Sequence, residues 1–125
     1  MRVCIPAMDP GGPDGIAAPS FEETETFDFY DFLPDGSFEM TAQTRPCACW
    51  GPDQAEAVSR RGIDAVIVGG ISPNALLRFR SASVRVLRVN NPSIAALLIS
   101  YFAGKLEEIG YGQVAVSRKK KMKGN

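Results

Sequence analysis

Cys47 and Cys49 stand one residue apart in an irregular stretch that ends where a helix can begin. Two thiolates at that spacing can ligate a soft metal or a metal–sulfur unit, and a nearby helix N-terminus would favour the thiolate form. Two sulfurs do not close a tetrahedral site, so completion needs exogenous sulfide, a second subunit or Cys4. Cys4 lies in an apolar strand pattern, where cysteine acts as a small hydrophobe. The pair also reads as two ordinary loop thiols. The second candidate is Gly69-Gly70-Ile71-Ser72-Pro73-Asn74, a glycine turn between a buried strand and a helix. Backbone N–H groups there would aim above a sheet and suit an anion. The same glycines would equally let the chain turn tightly while Ser72 caps the helix. It is not a Walker loop, because no Gly-Lys-Ser/Thr follows.

Much chemistry is excluded by composition. The 125 residues include no histidine, which removes Ser/His and Cys/His nucleophile pairs, an imidazole base and mixed Cys/His zinc sites. Three cysteines, an odd number in a small chain, suit a reducing compartment with free thiols. The N-terminal residues lack a signal-peptide pattern and no stretch approaches the length of a membrane span. The expected location is therefore cytoplasmic, with no membrane contact. The 14 basic and 14 acidic residues balance, yet Arg118, Lys119, Lys120, Lys121 and Lys123 crowd the end while nine acids lie between Asp9 and Glu39. An acidic body makes a poor phosphate-binding face, so no nucleic acid is expected there. The basic end reads as a solvated, disordered tail, residues 111–125, behind one domain, residues 1–110.

The elements that must position the candidates follow from hydrophobic pattern. Arg2 to Met8 reads as a strand, Asp9 to Ser20 as a glycine- and proline-rich loop long enough to be functional. Thr26 to Phe32 alternates aromatic and acid, the pattern of a half-buried strand with Phe27, Phe29 and Phe32 inward and the acids on a wet face. Pro34-Asp35-Gly36 turns the chain into a second strand over Ser37 to Gln43. A helix starts near Pro52-Asp53-Gln54, with proline in its first turn, and stops at Arg60-Arg61-Gly62. The apolar run Ala65-Val66-Ile67-Val68 predicts a strand covered on both faces. A short helix from Pro73, a strand over Val84 to Val89 and a helix over Ser93 to Glu108 complete the order βββαβαβα. That order predicts an α/β, ribonuclease-H-like, five-stranded mixed sheet flanked by helices. The loops after the first, third and fourth strands would open on one edge, where open α/β sheets bind ligands. The metal-binding acids of a nuclease are missing: Arg2 to Met8 holds none, and Asp64 sits at the wrong end of its strand.

These motifs in this order resemble the dinitrogenase iron–molybdenum cofactor biosynthesis family, over about residues 1 to 109. The resemblance rests on Val3 to Met8, Asp14-Gly15, Phe21 followed by Phe27-Asp28-Phe29-Tyr30-Asp31, the run Gly62 to Leu76, and Gly104-Lys105-Leu106. One departure is Ser20-Phe21-Glu22, where the family usually has His-Phe-Gly. The resemblance implies a non-catalytic carrier or accessory protein for a metal–sulfur cluster of iron–molybdenum or molybdenum–copper type. It further implies a donor or recipient metalloprotein as partner. The residues then expected to hold the cluster are Ser20, Phe21, Arg45, Cys47, Cys49, Gly69, Gly70, Ser72 and Asn74, with Cys47 and Cys49 on metal. The rival expectation is an interaction module of the same fold that has lost its cofactor and docks through the acidic hairpin or the basic tail.

Overall fold

In the computed structural model, which describes residues 1–47 and 53–109, the chain forms eight elements. They are β1 (Arg2–Ala7), β2 (Thr26–Phe32), β3 (Phe38–Thr44), α1 (Gln54–Ser59), β4 (Ala65–Val68), α2 (Pro73–Ser81), β5 (Arg85–Arg88) and α3 (Ile94–Phe102). The order matches the expected one, and the strands lie β3-β2-β1-β4-β5. β1 runs parallel to β4 and antiparallel to β2, while β3 pairs antiparallel with β2 and β5 parallel with β4. All four residues of β4 are buried, as an unbroken apolar run requires. Cys4, Phe27, Phe29, Val66 and Val68 face α1 and α2, which contribute Ala55, Val58, Leu76 and Phe79. Val3, Ile5, Tyr30, Ala65, Ile67 and Leu87 face the other way, toward Ile94, Leu97 and Leu98 of α3. Each large apolar side chain so buried contributes about 1.5–3 kcal/mol.

Three expectations need correction. β2 is not half-buried: Thr26 to Tyr30 are all buried, and Phe32 turns to the α3 face, opposite Phe27 and Phe29. Asp28 in particular is fully buried rather than wet. The reason is an interior strand roofed by the Asp9–Ser20 loop. Asp28 Oδ2 accepts from Gly12 N at 2.6 Å and the Tyr30 hydroxyl at 3.1 Å; Oδ1 accepts from Gln43 Nε2 at 2.8 Å and the Thr26 hydroxyl at 3.1 Å. Gln43 Nε2 also donates to Pro10 O at 2.8 Å. Gly11 fits this contact because its φ is +73° and a Cβ there would stand 2.6 Å from Gln43 Nε2. Burial, then the neighbouring Asp28 charge, pushes the Tyr30 phenol far above its ordinary range.

The last helix ends at Phe102, not Glu108. Gly104, at φ +71°, closes it with a Schellman pattern in which Gly104 N donates to Tyr101 O and Lys105 N to Ser100 O. The following residues turn back along β5, where Leu87 bridges Glu108 and Ile109 N donates to Val86 O. They cover that sheet edge. At the first helix Asp53 is the N-cap, its Oδ1 accepting from Glu56 N at 2.9 Å, so helical residues begin after the place a first-turn Pro52 would need. Residues 48–52 and the expected tail, 111–125, lie outside the described residues. Among the described residues no helix is long and apolar enough to cross a membrane.

Two stability predictions follow from these contacts. Asp28→Asn turns one acceptor into a donor facing other donors, and should lower unfolding free energy by about 2–4 kcal/mol. Urea unfolding reads this as a lower midpoint at unchanged slope; an unchanged midpoint would contradict it. Ser83 closes α2 in the left-handed region, φ +62°, with Val84 N donating to Phe79 O. Ser83→Gly should relieve that strain and gain about 0.5–1 kcal/mol, a Tm rise of roughly 2–5 °C by calorimetry.

Candidate functional site

Because β2 runs against its neighbours, the carboxyl ends of β1, β3, β4 and β5 share one edge with the start of β2. The long loop after β1 spans this edge. Its first half fastens to α3: Gly15 O accepts from Ile94 N at 3.2 Å and Pro13 O from Ala95 N at 3.1 Å. Its second half crosses the glycine turn after β4. Phe21 N donates to Gly70 O at 2.7 Å, and a Cβ on Gly69 would lie 2.6 Å from Pro19 O. Gly69 therefore admits a crossing backbone, the tight-turn use of glycine.

The crossing leaves a hollow on either side. One is a cleft of about 550 Å³ lined by Phe21, Glu22, Asp53, Ser72, Asn74 and Arg78 among others. The other, about 390 Å³, lies between the ends of β4 and β5 and is lined by Ala17 to Pro19, Gly69 and Val89 to Pro92. α2 leaves β4 toward one face and α3 leaves β5 toward the other. That makes the second hollow a topological switch point of the sheet.

In the cleft, Ser72 caps α2 by accepting from Ala75 N at 3.2 Å. Its own N–H donates to Glu22 Oε2 at 3.3 Å. A carboxylate of the protein thus stands at the positive end of the helix. Asp53, besides capping α1, pairs through Oδ2 with Arg78 Nε at 2.8 Å. Phe21 lines the cleft but its ring is buried, 5.4 Å from Phe27 and 5.2 Å from Phe79 between centroids. Ser20 bonds locally, accepting from Glu23 N at 3.1 Å.

The expected site residues thus fall into two groups. Ser20, Phe21, Gly69, Gly70, Ser72 and Asn74 come together around the crossing. Arg45 and Cys47 follow β3, the far edge strand, three strand spacings or about 14 Å from β4 across the sheet. Arg45 Nη2 pairs with Asp9 Oδ1 at 2.6 Å. Cys4 is free and buried, and burial raises its thiol well above the ordinary range. Cys47, expected as a free thiol, is disulfide-bonded. Cys49 lies outside the described residues. Sequence reasoning missed the roles of Glu22 and Asp53. Asp53, three residues before Glu56, carried a capping signal; Glu22 carried none, since its target is fifty positions away.

Comparison with known proteins gives a consistent picture. The sequence profile of a family described as dinitrogenase iron-molybdenum cofactor matches residues 1–104. No curated protein matches. Among solved structures, the apo form of the orange protein from Desulfovibrio gigas superposes with a TM-score of 0.68 at 17% identity, covering 87% of this chain and 92% of that one. A candidate dinitrogenase from Methanocaldococcus jannaschii gives 0.66 at 18%, covering 88% and 95%. A candidate NifB protein from Thermotoga gives 0.65 at 24%, covering 86% and 91%. At these identities the superpositions establish the fold.

If Glu22 fills the α2 N-terminus, removing its charge should open that position to anions. In Glu22→Ala the amide resonances of Ile71, Ser72, Asn74 and Ala75 should shift saturably with added molybdate, and in the wild type much less. Equal shifts in both proteins would contradict this. Because Glu22 is exposed, its loss should cost no more than about 0.5 kcal/mol.

Proposed function

We propose that this chain, which belongs to the dinitrogenase iron-molybdenum cofactor family, is a non-catalytic carrier or accessory protein. Its cargo is a preassembled metal–sulfur cluster, which it exchanges with a donor or recipient metalloprotein in the cytoplasm. The observation that carries the reading is the family match over residues 1–104. The glycine turn at the carboxyl edge of the sheet, crossed by the loop after β1, adds support.

Each group in the site has a part in this reading. Thiolates of Cys47 and Cys49 are the ligand type suited to a soft metal or sulfide-bridged unit. A sulfur held in an S–S bond is not a thiolate, so the Cys47 disulfide must be reduced before loading. Arg45 and the Asn74 amide supply positive charge and hydrogen-bond donors for the sulfides of an anionic cargo. With Glu22 on Ser72 N, the α2 N-terminus contributes only when that carboxylate swings away.

A second reading, a docking module that carries no cluster, is favoured by one observation. The Glu22 carboxylate occupies the amide that an anionic cargo would use. Recovery of a specific partner that is lost on removing residues 117–125, without any bound metal, would favour this reading over the first.

The reduced full-length protein, mixed anaerobically with tetrathiomolybdate and cuprous ion and then desalted, should retain molybdenum and copper with charge-transfer absorbance. Cys47→Ala/Cys49→Ala should lose most of both. Retention in neither protein, or equally in both, would contradict the carrier reading.

A further inference from the structure

At the opposite edge of the sheet a hollow of about 430 Å³ opens beside the C-terminal half of α3. It lies within the size range of small-ligand sites. Its floor is Leu87, which is buried, and its walls are aromatic and aliphatic: Phe32, Leu33, Tyr101, Phe102 and Leu106. Phe32 stacks on Tyr101 at 5.5 Å and 28°, and on Phe102 at 5.6 Å and 26°. Phe32 thus lies against both other rings, and the three form an aromatic wall of the kind on which an aryl ligand packs. Phe102 is 55% and Leu33 42% exposed, so the wall is open to solvent.

One residue of the lining carries a charged side chain. Arg85 stands at the rim and donates through Nε to Glu108 Oε1 at 3.2 Å. Its Nη1 and Nη2 have no hydrogen-bond partner among the described residues, and both members of the pair are more than half exposed. Such a pair holds its arginine weakly. A guanidinium with Nη1 and Nη2 unused can take a carboxylate end-on through both.

We propose that this hollow is a binding site for a small aromatic monocarboxylate, its ring stacked among Phe32, Tyr101 and Phe102 and its carboxylate on Arg85. The site is independent of the glycine-turn edge, so the two can be occupied together. Neutral aromatics enter without the arginine contact and bind more weakly. A phosphate has no ring to fill the apolar volume.

The test titrates the full chain with 2-naphthoate and, separately, with neutral 2-naphthamide, following backbone amide resonances. Naphthoate should bind saturably and move the signals of Leu33, Leu87 and Gly104. Arg85→Gln, an exposed change that spares the core, should weaken naphthoate roughly ten-fold and leave naphthamide unchanged. Glu108→Gln, which frees the guanidinium, should tighten naphthoate. Absence of saturable binding, equal naphthoate affinity in Arg85→Gln, or shifts confined to the Ser72 cleft would each overturn the proposal.

Discussion

The buried carboxylate of Asp28 is the contact on which the edge bearing the candidate site depends. A charge removed from water is tolerated only when its lone pairs are filled, and here four donors fill them, one being the Gly12 amide of the loop after β1. That amide ties the loop to the middle of the sheet. From there Pro13 and Gly15 reach the first amides of α3, and further along Phe21 and Glu22 reach Gly70 and Ser72 before α2. One loop therefore supplies acceptors to the N-terminal ends of two of the helices at this edge, α2 and α3.

This arrangement bears on what the edge can hold. Helix N-termini at the carboxyl end of an open sheet are ready anion sites when their amides are free. Here those of Ile94 and Ala95 in α3 are taken by carbonyls and that of Ala96 by the Ser93 hydroxyl, while that of Ser72, the cap of α2, is taken by a carboxylate. A cluster bound as proposed would then draw on side chains, above all the sulfurs after β3, or on displacement of Glu22. The cleft beside Glu22 is bounded by Asp53 at the far end of the cysteine loop, so the chain that leaves β3 at Thr44 re-enters the described structure at the cleft wall.

How much of this the sequence carried can be told from particular residues. The order of elements was readable because local signals agreed: an unbroken apolar run at Ala65–Val68, a turn at Pro34-Asp35-Gly36, and serine caps at Ser72 and Ser93. The family motifs were readable for the same reason, as contiguous strings. Asp28 was not, because an acid alternating with aromatics has the pattern of a solvent-facing position, and only the loop folded over it makes it interior. The α3 terminus was missed because Leu106 continues the helical spacing past a glycine that ends it. The crossing of Pro19 to Phe21 over Gly69 and Gly70 joins residues fifty positions apart, and no local pattern encodes it.

Elemental analysis of the protein purified anaerobically from its own host bears most directly on the carrier account. The account predicts molybdenum or iron, together with acid-labile sulfide, at near-stoichiometric level in the intact protein. Folded protein isolated under those conditions with neither metal nor sulfide above trace would contradict it.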